Sequence, residues 1–394
     1  MKLSESAGMI KHSAIRRMFN KALEYEHVIS FTLGEPDFTA SENVVEAGCK
    51  AIREGKTKYS ENAGIMPLRE AVSASLKKDA GLEYKPATEI TITTGGMGAL
   101  FLTLKSLVDP GDEVIICEPY WTNYMQQVQL CGGRPVFVVC REENDFMPDP
   151  ADVEAAITER TKVLIINSPS NPTGAVLDEA TLGGIADIAK AHDLIVLSDE
   201  VYKSIIYDGL KYKSIAELPG MKERTVIVNS FSKGYAMTGW RVGYAAGPEW
   251  IIDCVTKFQE DVAACAAMPC QYAALEALTG PQDFNHYMVE KYAQRRAVMV
   301  EKLNAIPGIS CKAPKGTFYA FANIRAFGMK SQDFADRLLD EKQVVVVPGS
   351  AFGEGGEGYI RLSYATDMDN IVRGLELIGE FAAELSGEKN KESL

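Results

Sequence analysis

Lys233 lies three residues past the apolar run TVIVNS (225–230), within the stretch SFSKGYAMTGWRVGY (230–244). An amine acts as nucleophile or base only when neutral, and a free lysine is neutral for about one molecule in a few thousand at pH 7. Imine or general-base chemistry at Lys233 therefore requires a dry or electropositive setting. Arg241, eight residues on, and the hydroxyls of Ser230 and Ser232 supply such a field and also suit a phosphate.

Other apolar segments carry residues of matching chemistry. In LIVLSDE (194–200) the Asp199 carboxylate closes a buried run, where a protonated ring nitrogen would satisfy it, although Asp is also a common helix N-cap. TTGGMGAL (93–100) passes through Gly95, Gly96 and Met97 into the apolar helix ALFLTLKSL, so backbone N–H groups would face an anion such as a phosphate. The stretch is neither a Walker A nor a full Rossmann fingerprint. NSPSNPTG (167–174) sets Asn171 in a proline-flanked turn with its amide available as a donor. Arg361 sits inside the apolar run YIRLSYA (359–365), where a charge is costly unless an anion meets it.

These residues need a scaffold that gathers strand ends. The runs EITIT (89–93), EVIIC (113–117), KVLIIN (162–167), LIVLSDE and TVIVNS alternate with amphipathic segments such as 178–192. Their length and Val/Ile content predict buried strands of βαβ units in a largely parallel sheet, which places ligands outside the carboxyl ends. From about Gln282 the pattern changes to longer helices, then KGTFYAFANI, VVVVPGS and GEGGEG (353–358). A large domain over 46–284 and a small α+β domain from 1–45 and 285–394 are expected, with a frayed charged tail from Ser386.

Composition narrows the function classes. A chain of 394 residues with 46% hydrophobic and 24% charged residues is an ordinary globular protein, and its net charge of −13 opposes binding to nucleic acid. The N-terminus has no continuous apolar h-region, so neither export nor membrane insertion is expected. Eight scattered cysteines without a CxxC pair read as reduced thiols of a cytoplasmic protein, and four dispersed histidines suggest no metal site.

Taken in order, LGEPDF (33–38), NPTG, SDEVY, SFSKGYAMTGWRVGY and YIRLS resemble the class I/II aminotransferases, fold type I enzymes of pyridoxal 5′-phosphate, above all their aspartate/aromatic branch. The resemblance implies an α/β fold whose large domain has a mostly parallel seven-stranded sheet sandwiched by helices. It implies a cofactor held as an internal aldimine on Lys233, with Asp199 on the pyridinium N–H and Asn171 and Tyr202 on the ring oxygen. Lys233, Asp199 and Tyr202 would be the catalytic set. Gly95, Gly96, Met97, Ser230, Ser232 and Arg241 would hold the phosphate, and Trp121 would stack on the ring. Tyr59, in KYSENAG, would reach the phosphate of a neighbouring subunit, which implies a homodimer with shared sites. Arg361 would clamp the substrate α-carboxylate, assisted by Gly34, with Trp121 and Asn171 close by. Relatives often carry Gln or Glu where this chain has Gly98. The implied reaction moves the amino group of an L-amino acid to a 2-oxo acid, 2-oxoglutarate first among them. A C–S β-lyase on the same scaffold is the alternative.

Overall fold

The computed structural model describes residues 3–10 and 14–392. Short Val- and Ile-rich segments form a seven-stranded sheet from β2 (Ile90–Thr93), β3 (Glu113–Glu118), β4 (Arg134–Val139), β5 (Thr161–Asn167), β6 (Ile195–Asp199), β7 (Thr225–Ser230) and β8 (Gly243–Ala246). Its order is β2-β8-β7-β6-β5-β3-β4. Only β8 runs antiparallel to its neighbours.

Successive strand residues point to opposite faces, and both faces are covered. Val114, Ile116, Val163 and Ile165 pack with Leu100 and Leu104 of the helix Gly95–Leu107 and with Ile251 of Glu249–Ala263. Ile115, Leu164 and Ile166 pack the other way, with Ile185 and Ala189 of Glu179–Ala191. The register therefore leaves the polar residues at the strand ends as the free chemistry of the sheet.

The remaining strands are β1 (Ile29–Ser30), β9 (Ser310–Cys311), β10 (Tyr319–Asn323), β11 (Val344–Val345), β12 (Val347–Pro348) and β13 (Tyr359–Ser363). They form an antiparallel sheet, β12-β13-β10-β9, and a parallel pair, β1-β11. One core joins Met18 and Phe31 near the N-terminus to Phe318, Leu338, Leu362 and Phe381.

The N-terminal region contributes a two-residue strand, β1, which pairs with β11. The run Val344–Val347 is split between two sheets. The expected frayed tail is instead part of the helix Met368–Glu392, held to the helix Ser331–Lys342 by Arg337–Glu388 (3.2 Å) and Lys342–Glu384 (2.7 Å). Its Glu- and Lys-rich composition suits a helix, and the partners across the groove extend it. No helix among the described residues is long and apolar enough to cross a membrane, and all eight cysteines are free thiols.

Candidate active site

The carboxyl ends of β2, β3, β5, β6 and β7 open on one cavity of about 540 Å3. Lys233 enters it from the short helix Phe231–Gly234, which Ser230 caps by accepting from the Ser232 N–H (3.1 Å). The lysine Nζ donates to the Gly34 carbonyl. The side chain is only partly accessible to solvent, and desolvation pushes its pKa down to about 8. Glu35 and Asp199 oppose that shift, while the positive charges of Arg361 and Arg241 reinforce it.

Asp199 ends β6 and is 4% exposed. Burial pushes its pKa up to about 6, against the hydrogen bonds from Tyr124 Oη (2.6 Å) and the Val201 N–H (3.2 Å) and the charge of Lys233. Tyr124 is a residue that sequence reasoning missed. It is buried, it lines the same cavity, and its ring meets Trp121 edge-on at 5.5 Å between centroids. Its signal in the sequence was only an aromatic three residues after Trp121.

Arg361 lies in β13, every residue of which is buried. Nη1 donates to Asn171 Oδ1 (3.0 Å) and Nη2 to the Thr32 carbonyl (2.7 Å), while the guanidinium carbon lies 4.4 Å from the Tyr319 ring centroid and 5.1 Å from that of Phe352. Its buried Nε has no hydrogen-bond partner among the described residues. An orphan buried donor costs free energy, so an acceptor entering the cavity would be favoured there. Tyr202 Oη shares a hydrogen bond with Tyr319 Oη (2.8 Å), and burial raises the pKa of both. Asn171 is fixed through its own N–H, which donates to Asn167 Oδ1 (2.8 Å).

At the start of the helix Gly95–Leu107, Gly95 has φ +70°, and a Cβ there would lie 2.6 Å from Arg241 Nη2. Only glycine permits this left-handed turn against the guanidinium. Gly243, on the neighbouring β8, would likewise drive a Cβ to 2.7 Å from the Gly96 nitrogen. Gly96, Met97, Ser230, Ser232 and Arg241 line the cavity together, and Arg241 is steadied by donating to the Thr238 carbonyl (2.8 Å). Unpaired N–H groups of a 13-residue helix, two hydroxyls and a guanidinium form a set of donors for a dianion.

Trp121 and Gly34 also line the cavity, so the structure gathers the expected residues there with two exceptions, Gly95, which lies behind Arg241, and Tyr59. Tyr59 is 86% exposed and lies outside the cavity of its own chain.

The class I and II aminotransferase family matches residues 26–378. The chain belongs to the class I and II aminotransferases. A putative aminotransferase of Bacillus subtilis is 46% identical over 96% of this chain and 98% of its own length. Aromatic-amino-acid aminotransferase 2 of Thermococcus litoralis is 43% identical over 95% of this chain and 97% of its own. The structure of the aspartate aminotransferase from Thermus thermophilus with maleate superposes with a TM-score of 0.92 at 38% identity, covering 96% of this chain and 99% of that one. The protein is thus a fold type I transaminase that uses pyridoxal phosphate, and amino transfer prevails over the C–S lyase alternative.

The cavity fits that cofactor on its own chemistry. The Gly95 turn with Arg241 offers a phosphate cradle, Asp199 is a buried acid whose hydrogen bonds come from neutral donors, and Lys233 is an amine made available by burial. A pH test follows. The lysine holds its proton up to about 10.5 in an unfolded chain and only to about 8 here. Between those values the unfolded state binds more protons, so the stability of the cofactor-free aminotransferase rises with pH across that window. The rate at which it takes up pyridoxal phosphate should rise with pH with a midpoint near 8, measured by absorbance. A midpoint above pH 10 would contradict this setting for Lys233.

Proposed function

We propose that the enzyme moves the amino group of an L-amino acid, aspartate, an aromatic or a similar one, to a 2-oxo acid, with 2-oxoglutarate as acceptor. The observation that carries this reading is the placing of Lys233 in one cavity with Asp199 and Arg361. Arg361 holds the α-carboxylate through its fork, for which its unpartnered Nε is available. The Gly34 carbonyl, now the acceptor of the Lys233 amine, helps to orient the substrate beside it. Pyridoxal phosphate supplies, when bound, a ring that accepts the electron pair left when the Cα proton departs. Lys233 Nζ takes that proton as general base and returns one as acid, for which a pKa near the working pH is best. Asp199 keeps a proton on the ring nitrogen, with Tyr124 fixing the carboxylate. Asn171 and Tyr202 would bond the ring oxygen, Trp121 would pack on the ring, and Gly95, Gly96, Met97, Ser230, Ser232 and Arg241 would hold the phosphate.

A panel of amino donors with 2-oxoglutarate, its oxo-acid products identified by mass spectrometry, tests the reading. Aspartate and aromatic donors should yield oxaloacetate and aryl pyruvates together with glutamate. Pyruvate and ammonia from cysteine or cystathionine, without an acceptor, would contradict it.

The same reading makes the protein a cytoplasmic homodimer. Its support is Tyr59, which is exposed and lies outside its own cavity. Sedimentation that finds only monomer would count against the shared site. It also divides the chain into 46–284 and 1–45 with 285–394, supported by two cores that lie wholly within 46–284 and a third drawn mostly from the other residues. First cleavage well inside 46–284 under limited proteolysis would oppose that division.

A further inference from the structure

The glycine-rich stretch GEGGEG (353–358) has no part in the reaction set out above. It lies in the connection between β12 and β13, the strand that carries Arg361. Within it the Glu354 and Gly355 N–H groups donate to Glu118 Oε1 (3.1 Å) and Oε2 (3.0 Å), one to each oxygen. Glu118 closes β3 of the main sheet and is 4% exposed. A carboxylate buried to that degree needs donors, and hydrogen bonds to an ionised acceptor are roughly twice as strong as neutral ones. Glycine permits the close approach. Gly353 has φ +101°, where a Cβ would run into the carboxylate, and a Cβ on Gly355 would lie 3.2 Å from Oε2.

The main-sheet side of this contact is held by its own strands. The Glu118 carbonyl accepts from the Cys140 N–H (2.6 Å), and Tyr120 stacks on Phe137 of β4 at 5.2 Å between centroids. A third bond, from the Tyr120 N–H to the Phe352 carbonyl (3.0 Å), joins the same edge to the connection. From there the contacts lead to Arg361. The fully buried Phe352 ring has its centroid 5.1 Å from the guanidinium carbon, and it meets Phe321, the β10 partner of Arg361, edge-on at 6.2 Å. At the other end of the connection Val347 of β12 is paired with Arg361 directly. Neither Glu118 nor Phe352 lines the cavity.

We propose that Glu118 is a positioning residue for the α-carboxylate site: it pins the β12–β13 connection to the end of β3 and thereby sets Phe352 and the Arg361 guanidinium in place. The inference rests on the amino-transfer reading, because it takes Arg361 as the carboxylate clamp. An aromatic ring within about 6 Å of a cation attracts it, so Phe352 fixes one side of the guanidinium. The planar fork binds a carboxylate bidentately only in the right plane, so a tilt of Arg361 weakens binding while the amine of Lys233 keeps its setting. The effect of Glu118 therefore falls on the affinity for carboxylates, ahead of the chemical step.

The test titrates the holoenzyme with 3-phenylpropionate, an unreactive monocarboxylate, by calorimetry in wild type, Glu118→Gln, Phe352→Leu and the double variant. Glu118→Gln keeps the size of the side chain, but its amide nitrogen cannot accept the second N–H. It should weaken the ligand by about 10-fold, the lower end for loss of a hydrogen bond to a charged group. KM for amino and oxo acids should rise by a like factor with kcat at saturation within about threefold. Glu118→Asp, which keeps the charge on a shorter arm, should fall between the two and carries the same comparison should Glu118→Gln not fold. Phe352→Leu should weaken the ligand as well, and the double variant no more than the larger single effect, because both act through one contact. Additive effects of the two substitutions, or a loss of kcat as large as the rise in KM, would overturn the proposal. Wild-type enzyme that transfers amino groups while Glu118→Gln changes nothing would overturn it too and leave the amino-transfer reading standing. Wild-type enzyme that binds 3-phenylpropionate in this Glu118-dependent way but transfers no amino group would support the positioning and contradict the function beneath it.

Discussion

Lys233→Ala should lower transamination by about four orders of magnitude or more while leaving the fold intact. Proton transfer by a positioned side chain accounts for roughly 10²- to 10⁴-fold, and loss of a covalent attachment adds to it. The side chain bonds only to the Gly34 carbonyl, and its burial is unfavourable to the charged form. Its removal should therefore leave the melting temperature unchanged or slightly raised. The phosphate cradle stays whole, so the variant should still bind the cofactor, more weakly and without the absorbance of the attached form. Stopped-flow absorbance on adding an amino acid reads the chemical step directly. Turnover within tenfold of wild type would remove Lys233 from the centre of the reaction.

Asp199→Asn should lower kcat by roughly 10³-fold, the scale lost when a preorganised electrostatic partner is removed from a transition state. The substitution keeps size and shape, and Tyr124 can still donate to the remaining side-chain oxygen. What it removes is the negative charge that would hold a proton on the ring nitrogen in the proposed function. The expected phosphate donors come from the helix after β2, the end of β7 with the short helix that follows it, and the segment before β8, and none comes from β6, so cofactor affinity should change far less than kcat. The folded acid has its pKa at about 6 against 3.8 unfolded, so it binds an extra proton on folding and stability falls as pH rises between those values. Asp199→Asn should flatten that slope in thermal melts of the cofactor-free protein. A kcat within tenfold of wild type would show that the ring nitrogen needs no such partner.

Lys233, Asp199 and Arg361 were legible in the sequence because each is a charge set against an apolar run, a pattern that local chemistry alone makes costly. The glycine turn and Asn171 were legible through turn residues whose backbone demands are local. Tyr124 was not, since its partner Asp199 is 75 residues away and nothing in PYWTNY separates a core aromatic from one that donates to a carboxylate. Two strands of the main sheet escaped notice for physical reasons. β4, RPVFVV, is an edge strand with Phe137 and Val139 exposed and a proline within it, so it lacks a buried run. β8, GYAA, has little β propensity and exists because it is paired on both sides, by β2 and β7. The tail from Ser386 continues a helix where fraying is expected because Glu388 finds Arg337 on a neighbouring helix, a partner remote in sequence.

The most direct test of the account is to find where the cofactor is attached. Purified holoenzyme is reduced with borohydride, digested and mapped by tandem mass spectrometry. The account predicts a pyridoxyl phosphate mass on the peptide containing Lys233, absent from Lys233→Ala. The label on another lysine, or a protein that binds pyridoxal phosphate without any reducible attachment, would contradict it.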